Sequence, residues 1–363
     1  MKKIFIVAGD PSGDIHGGNL AKHIQEISPE TSIYSAGGIH LKKYSRQITD
    51  LTEIAVTGIF EVAGYLKKIL DKFNLTAGKI QEIKPDIVIL IDFPDFNLRL
   101  AGRLKAKGFR IFYYISPQVW AWRKNRIKLI KKYIDKVLVI FPFEKDFYKR
   151  HGVEAVYVGN PSFESIPDGL TGQNPSIEKK KIVFLPGSRT KEVTRHLPLM
   201  IGTKKLLQPL ELSFAVIKYP RLPKRLFKKA GEEGIEIIEE NRYHAIAESS
   251  IAVSSSGTAT LELALLNIPT VVIYKTALLS WLILKSIVKI DFISIVNILA
   301  KEEVFPELIQ YKASPANIAG YCREFLNNPE YYNSTKKKIS RIKDVLSSKP
   351  ASKTAAREIL KEI

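Results

Sequence analysis

The chain of 363 residues contains one cysteine, Cys322, which excludes both a disulfide framework and a cysteine zinc site. A lone thiol fits a reducing compartment. No uninterrupted apolar stretch approaches the roughly 20 residues that a membrane-spanning helix requires; charge-free runs such as 277–284 are far shorter. The six histidines, His16, His23, His40, His151, His196 and His244, show no H-x-x-x-H or H-E-x-x-H spacing, so no catalytic metal is expected. Two common phosphate loops are also missing. The glycine turn at 9–14 lacks G-x-G-x-x-G spacing, and Leu185-Pro186-Gly187-Ser188-Arg189 lacks the Gly-Lys-Ser/Thr ending of a P-loop. Acids are the scarce charge, with 37 Asp and Glu against 56 Lys and Arg, a net +19. The excess is spread along the chain and nothing resembles a nucleic-acid-reading module. The expected partners are therefore phosphorylated small molecules or an anionic membrane surface, and not nucleic acid. Met1 to Ile4 lead straight into a strand pattern without a signal-peptide signature, so a cytoplasmic location is expected.

Hydrophobic residues make up 45% and charged residues 26% of the chain, as in a folded globular protein, and the length suits two domains. An apolar run at 3–8, the glycine turn at 9–14 and helical periodicity over 15–26 predict the opening of a parallel α/β sheet. Further strands are predicted at 32–35, 86–91, 110–115 and 136–140, giving a doubly wound domain that ends near residue 160. Residues 160–179, rich in Pro, Gly and Ser, read as a linker. A second alternating set follows at 181–185, 213–217, 235–238, 251–254 and 270–274. The fold class is α/β, and two such halves are expected to leave a cleft for a ligand.

Several segments at strand ends can carry chemistry. Ser116-Pro117-Gln118-Val119-Trp120-Ala121-Trp122-Arg123 places two of the three tryptophans beside an arginine, a set that suits a ligand part sugar or lipid and part phosphate. The plainer alternative is a packed tryptophan pair with a surface arginine. Asp92 follows an apolar strand directly, where a carboxylate faces the ligand crevice and can act as a general base; Asp95 reads as a turn former. In the second half, Ser254 to Glu262 opens a helix with small residues, which suits a diphosphate, although a Ser/Thr-capped helix has the same pattern. Glu262 can take ribose hydroxyls, and Arg189 in its Pro-Gly-Ser turn can pair with a phosphate. Ile59, Phe60, Val62, Leu66, Ile69 and Leu70 recur at helical spacing among Lys67, Lys68 and Lys72. This is either a core helix with a solvated lysine face or a helix that lies on an anionic membrane. Residues 278–295, around Trp281, offer a second such segment.

Taken in order, these motifs resemble those of the bacterial lipid-A-disaccharide synthases. The resemblance runs through residues 8–14, 56–62, 91–97, 116–123, 141–144, 158–161, 185–189 and 255–262. Two positions depart from it: Asp10 stands where the family usually has Glu, and Asn160 where it often has His. The resemblance implies a GT-B architecture, two Rossmann-like doubly wound domains facing across a cleft. The domains would be residues 1–165, binding the acceptor and docking on the membrane, and 166–337, binding the UDP-sugar, with a helix in 338–363 returning to the first. It implies inverting transfer from UDP-2,3-diacylglucosamine to 2,3-diacylglucosamine 1-phosphate, without cofactor or metal, on the inner face of a Gram-negative inner membrane. By the same resemblance, Asp92 is the base and Arg189 stabilises the leaving group. Ser255, Ser256, Gly257, Thr258, Ala259, Glu262 and Asn297 bind the UDP-sugar, and Ser12, Gly13, Asp14, Gln118, Trp120 and Arg123 line the acceptor side. An oligomer is possible. Another GT-B enzyme acting on UDP-GlcNAc, or a non-catalytic binder of lipid or nucleotide sugar, is the alternative.

Overall fold

The structure, a computed structural model, describes residues 2–53, 62–120, 125–171, 175–220, 222–277, 291–346 and 349–363. The chain divides into two compact units, 1–161 with 346–363, and 162–345.

The first unit is built on seven strands: β1 (Lys3–Ala8), β2 (Ser32–Ala36), β3 (Arg46–Thr49), β4 (Ile87–Ile91), β5 (Ile111–Tyr114), β6 (Lys136–Val139) and β7 (Ala155–Tyr157). They lie in the order β3-β2-β1-β4-β5-β6-β7, and every pairing is parallel. The central strands are apolar throughout because both faces are covered. Phe5, Val7, Val88, Leu90, Tyr113 and Val137 enter one core. Their neighbours Ile4, Ile6, Ala8, Ile87, Ile89, Phe112 and Tyr114 enter the other. The chain leaves β1 toward β2 and β3, then returns to lay β4 against the free side of β1, with Ala8 beside Ile91. Strand order reverses there, and the helices that follow β1 and β4 diverge to opposite faces, which opens a crevice at the carboxyl ends of these strands.

The second unit repeats the plan with β8 (Lys181–Leu185), β9 (Ser213–Ile217), β10 (Glu236–Ile238), β11 (Ile251–Ser255), β12 (Thr270–Tyr274) and β13 (Glu307–Ile309). The order is β10-β9-β8-β11-β12-β13, again parallel, with the reversal between β8 and β11. The helix Pro329–Leu346 stays with this unit up to residue 345. There Tyr332 donates to the Ser250 carbonyl at 3.0 Å and the Lys336 ammonium to the Pro175 carbonyl at 2.7 Å. The segment that belongs to the first unit is shorter than the expected 338–363: it is carried by the helix Ala351–Leu360, which follows Pro350 and buries Ala355, Ala356 and Ile359 in the first unit's second core.

Candidate active site

In the first unit, three sequence-predicted segments meet at the carboxyl ends of β1, β4 and β5. Asp92 leaves β4 with φ of 43° and Phe93 follows with φ of 47°. Two consecutive non-glycine residues in the left-handed region are strained by about 1–3 kcal/mol each, so the surroundings must impose the turn. Asn97, fully buried in the next helix, donates its amide to the carbonyls of Ile91 at 3.1 Å and Asp92 at 2.7 Å. Tyr113 on β5 donates its hydroxyl to the same Asp92 carbonyl at 2.6 Å. The Phe93 ring lies flat against β1, where a Cβ on Gly9 would meet it at 2.1 Å; only glycine permits that approach. With its backbone clamped, Asp92 holds a half-buried carboxylate at the crevice. Asp95, the second residue of the helix Pro94–Lys105, instead pairs with the buried Arg126, as suits a structural role.

After β1, Asp10 caps the helix Pro11–Ile27 by accepting the Gly13 N–H at 2.7 Å. The shortened carboxylate at this position thus has a local function. Ser12 is exposed and Gly13 buried. Asp14 is 2% exposed, and its two oxygens accept the N–H groups of Gly38, His40 and Leu41 at 2.7, 2.9 and 3.1 Å. With three of its acceptor positions filled, it fixes the loop after β2. After β5, Gln118 is exposed and Trp120 half-buried, and the Trp120 indole donates to Glu144 at 3.0 Å. Arg123 lies outside the described residues. Asn160, 1% exposed, donates to the Ile140 carbonyl at 3.3 Å.

The second unit gathers its own set after β8 and β11. Gly187, with φ of 120°, lets the chain turn over Glu192. Arg189 then starts the helix Thr190–Leu207, its side chain 81% exposed and touching Glu192 at 2.9 Å. Such an exposed pair is worth at most about 1 kcal/mol, so the guanidinium is available to a stronger anion. His196, 1% exposed, ties this loop to the end of β12, with Nδ1 2.8 Å from the Pro186 carbonyl and Nε2 3.0 Å from the Lys275 N–H. Since the amide must donate, Nε2 accepts and Nδ1 carries the proton, and burial lowers the ring's pKa to favour this neutral form.

After β11, Ser255 is buried while Gly257 and Thr258 are exposed at the start of the helix Thr258–Leu265. Nothing stands within 4 Å above Gly257, and the first helical amides have no partner within the helix. Ser256 donates its hydroxyl to the Ile293 carbonyl at 2.9 Å, which anchors the turn, and Ala259 is half-buried behind it. Glu262 is 7% exposed; one oxygen accepts the Tyr243 hydroxyl at 2.9 Å and the Arg242 guanidinium at 3.1 Å. Burial pushes its carboxyl up, while Arg242 and Tyr243 draw it back. Arg242 is itself stacked on the rings of Tyr219 and Tyr243, at 5.1 and 4.5 Å.

Comparison with known proteins is decisive at this point. Residues 4–363 match the model of a family described as lipid-A-disaccharide synthetase. A lipid-A-disaccharide synthase of Syntrophus aciditrophicus is 38% identical over 98% of this chain and 96% of that protein. Lipid-A-disaccharide synthase 1 of Legionella pneumophila is 36% identical over 96% of this chain and 94% of its own length. The chain belongs to the lipid-A-disaccharide synthetase family. It is accordingly a glycosyltransferase of lipid A biosynthesis, handling lipid A precursor sugars and a UDP-sugar. Its fold is GT-B. The UDP-GlcNAc 2-epimerase of Neisseria meningitidis, solved with UDP-GlcNAc, shares that fold with a TM-score of 0.65 and 14% identity, over 99% of this chain and 100% of that one.

Asn297 has a closed set of hydrogen bonds of its own. It is fully buried, donates to the Phe305 carbonyl and the Glu307 carboxylate at 2.8 Å each, and accepts the N–H groups of Val304 and Phe305 at 2.9 Å each. All four hydrogen-bonding positions of the side-chain amide are filled within the protein, so it shapes the loop before β13. Conversely, Arg242, Tyr243, Tyr219 and His196 were not anticipated. For Arg242 and Tyr243 the available signal was a cation beside a tyrosine, but their partner Glu262 lies 20 positions from Arg242, a distance no local pattern spans. Of the basic amphipathic segment, Ile59 and Phe60 lie outside the described residues and Val62 begins the helix Val62–Ile83. Leu66 and Leu70 are 53% and 58% exposed. Ile69 turns toward the first core, so it is not part of a docking face. Residues 278–290 also lie outside the description. Among the described residues no helix is long and apolar enough to cross a membrane.

Proposed function

We propose that the two units divide one inverting transfer: the sugar of UDP-2,3-diacylglucosamine passes to the 6-hydroxyl of 2,3-diacylglucosamine 1-phosphate, giving the β-1,6 disaccharide 1-phosphate and UDP. The observation that carries the assignment of residues is the clamped turn at Asp92. A carboxylate on a clamped backbone turn at a strand-order reversal suits a general base, which must be held within reach of the proton it takes. Asp92 takes the proton of the acceptor hydroxyl as its oxygen attacks the anomeric carbon. The bond to the diphosphate breaks on the opposite face, and UDP leaves with the electron pair. Ser12, Gly13, Gln118 and Trp120 line the acceptor side in this reading.

In the second unit, Arg189 and the free amides at Thr258 and Ala259 meet the charge that grows on the leaving diphosphate, by electrostatic preorganisation. Glu262, held by Arg242 and Tyr243, takes the ribose hydroxyls. Cation and amides together neutralise the diphosphate without a metal ion in this scheme. Because both substrates carry acyl chains, the enzyme works at an anionic membrane surface as a peripheral protein, with Leu66 and Leu70 entering the lipid and neighbouring lysines meeting headgroups.

The test is an assay of both diacylglucosamine substrates in detergent, with and without EDTA, following UDP and disaccharide by mass spectrometry. Disaccharide in both conditions is the expected result; turnover that collapses in EDTA would contradict the metal-free scheme. Asp92→Asn should lower kcat/KM by about 10²- to 10⁴-fold with UDP binding unchanged. Activity near wild type in that variant would remove Asp92 as base.

A further inference from the structure

The segment Ser116–Trp120 is held at both of its ends by one helix, Pro142–Arg150, whose side chains have no place in the chemistry just described. At the far end, the Trp120 indole N–H donates to Glu144 Oε1 at 3.0 Å. At the near end, Tyr148 donates its hydroxyl to Ser116 Oγ at 2.9 Å. Glu144 is 1% exposed and Tyr148 fully buried. The other oxygen of Glu144 accepts the N–H groups of Ile140 and Phe141, at 3.2 and 3.1 Å, where the chain leaves β6 and enters the helix behind Pro142. One carboxylate therefore joins the β6 turn, the helix start and the tryptophan that follows β5. The Trp120 ring is fixed further by an edge-on contact with Phe143 at 5.0 Å.

We infer that Glu144 is a positioning residue for the glycosyl acceptor: through its bond to the Trp120 indole it sets the surface that Ser116–Trp120 presents to the acceptor. This rests on the reading that the segment lines the acceptor side. A capping box needs only the backbone half of these contacts. A helix-capping glutamate is ordinarily exposed at the helix start, where water shares the load. Here the carboxylate is sealed, and burial pushes its carboxyl up to about 7. The N–H donors offset part of the loss of water, and the indole is the one donor in that set that comes from another strand's loop. Removing the indole's acceptor leaves the capping helix but frees the ring, so the effect falls on the acceptor and not on the nucleotide.

A double-mutant cycle tests this. Glu144→Gln keeps the volume but turns an amide N–H toward at least one of the donors. It should raise KM for the acceptor about tenfold, the worth of one buried hydrogen bond, with KM for the UDP-sugar and kcat little changed. It should also shift tryptophan emission, and that shift should vanish in a Trp120→Phe background. Trp120→Phe alone should raise the acceptor KM, and Glu144→Gln should add nothing further to it. Glu144→Asp, which restores a charged acceptor, should recover part of the loss, and Tyr148→Phe should produce a milder version from the other end. If Trp120→Phe leaves the acceptor KM unchanged, the segment does not line the acceptor, and that reading fails together with the inference. If Trp120→Phe raises it but Glu144→Gln does not, or the two effects multiply independently, the reading stands and the role of Glu144 is overturned. Loss of kcat and thermal stability in Glu144→Gln without the KM split would likewise reduce Glu144 to a structural cap.

Discussion

His16 sits beside the first glycine turn and illustrates how little of a side chain's state its type reveals. The ring is half-buried, yet its Nδ1 is sealed from solvent with no hydrogen-bond partner. Burial lowers its pKa from 6.5 to about 4. The fold therefore prefers the neutral ring, and the sign follows: the contribution to stability is complete above pH 6.5 and is lost as pH falls toward 4. Between those limits the unfolded chain takes a proton that the folded chain refuses, a difference of at most about 3 kcal/mol. Melting temperatures of the protein and of His16→Asn, measured from pH 7 to 4, should diverge at neutral pH and converge in acid; parallel curves would contradict the assignment. Asn297 makes the complementary point. The resemblance implies a place for it near the sugar nucleotide, while the structure uses every donor and acceptor of its side-chain amide internally.

The helix Val62–Ile83 separates the two readings of a basic amphipathic segment along its own length. Ala77 and Ile80 are fully buried, with Phe73 and Ile69 packed beside them, so the later turns are a core helix. Leu66 and Leu70, one turn apart, face outward beside exposed Lys67 and Lys68. Leu66→Ser combined with Leu70→Ser should leave the protein in the supernatant when anionic vesicles are sedimented, with its melting temperature unchanged and turnover of detergent-dispersed substrate within about twofold of wild type. A drop in stability would place those leucines in the core instead. Strands were legible in proportion to their burial. The apolar runs that became β1, β4, β8 and β11 were plain from sequence, because strands covered on both faces must be apolar throughout. β3, β7 and β13 escaped notice: each is a three- or four-residue edge strand, and β3 alternates with polar residues that half meet solvent. The strand-end motifs were legible because backbone geometry dictates their residue types, as Gly9 against Phe93 shows. The ties among them, Trp120 to Glu144 and Arg242 to Glu262, depend on folding and have no local signature.

Across the molecule, the same doubly wound plan occurs twice, and in each copy the residues of the proposed site follow the strands at the order reversal. The first copy has one dependence that the second lacks. Its second core includes Ala355, Ala356 and Ile359 from the helix Ala351–Leu360, which packs on the helix Pro11–Ile27. Arg110 and Lys136 both bind Glu362 just beyond. Ile359→Ala should lower the unfolding free energy by about 2–5 kcal/mol, measured by urea denaturation; an unchanged midpoint would mean that the helix merely rests on the surface. One core therefore takes segments from both sides of the second unit in sequence. During synthesis β1 emerges well before the helix Ala351–Leu360, so part of the packing on its second face arrives only after the whole second unit has been made. Contacts of such sequence separation form slowly, and apolar surface left bare in the meantime is prone to aggregate. The first unit is thus completed only after the second has emerged, and the nascent chain is exposed to chaperones and proteases while that face waits for its helix.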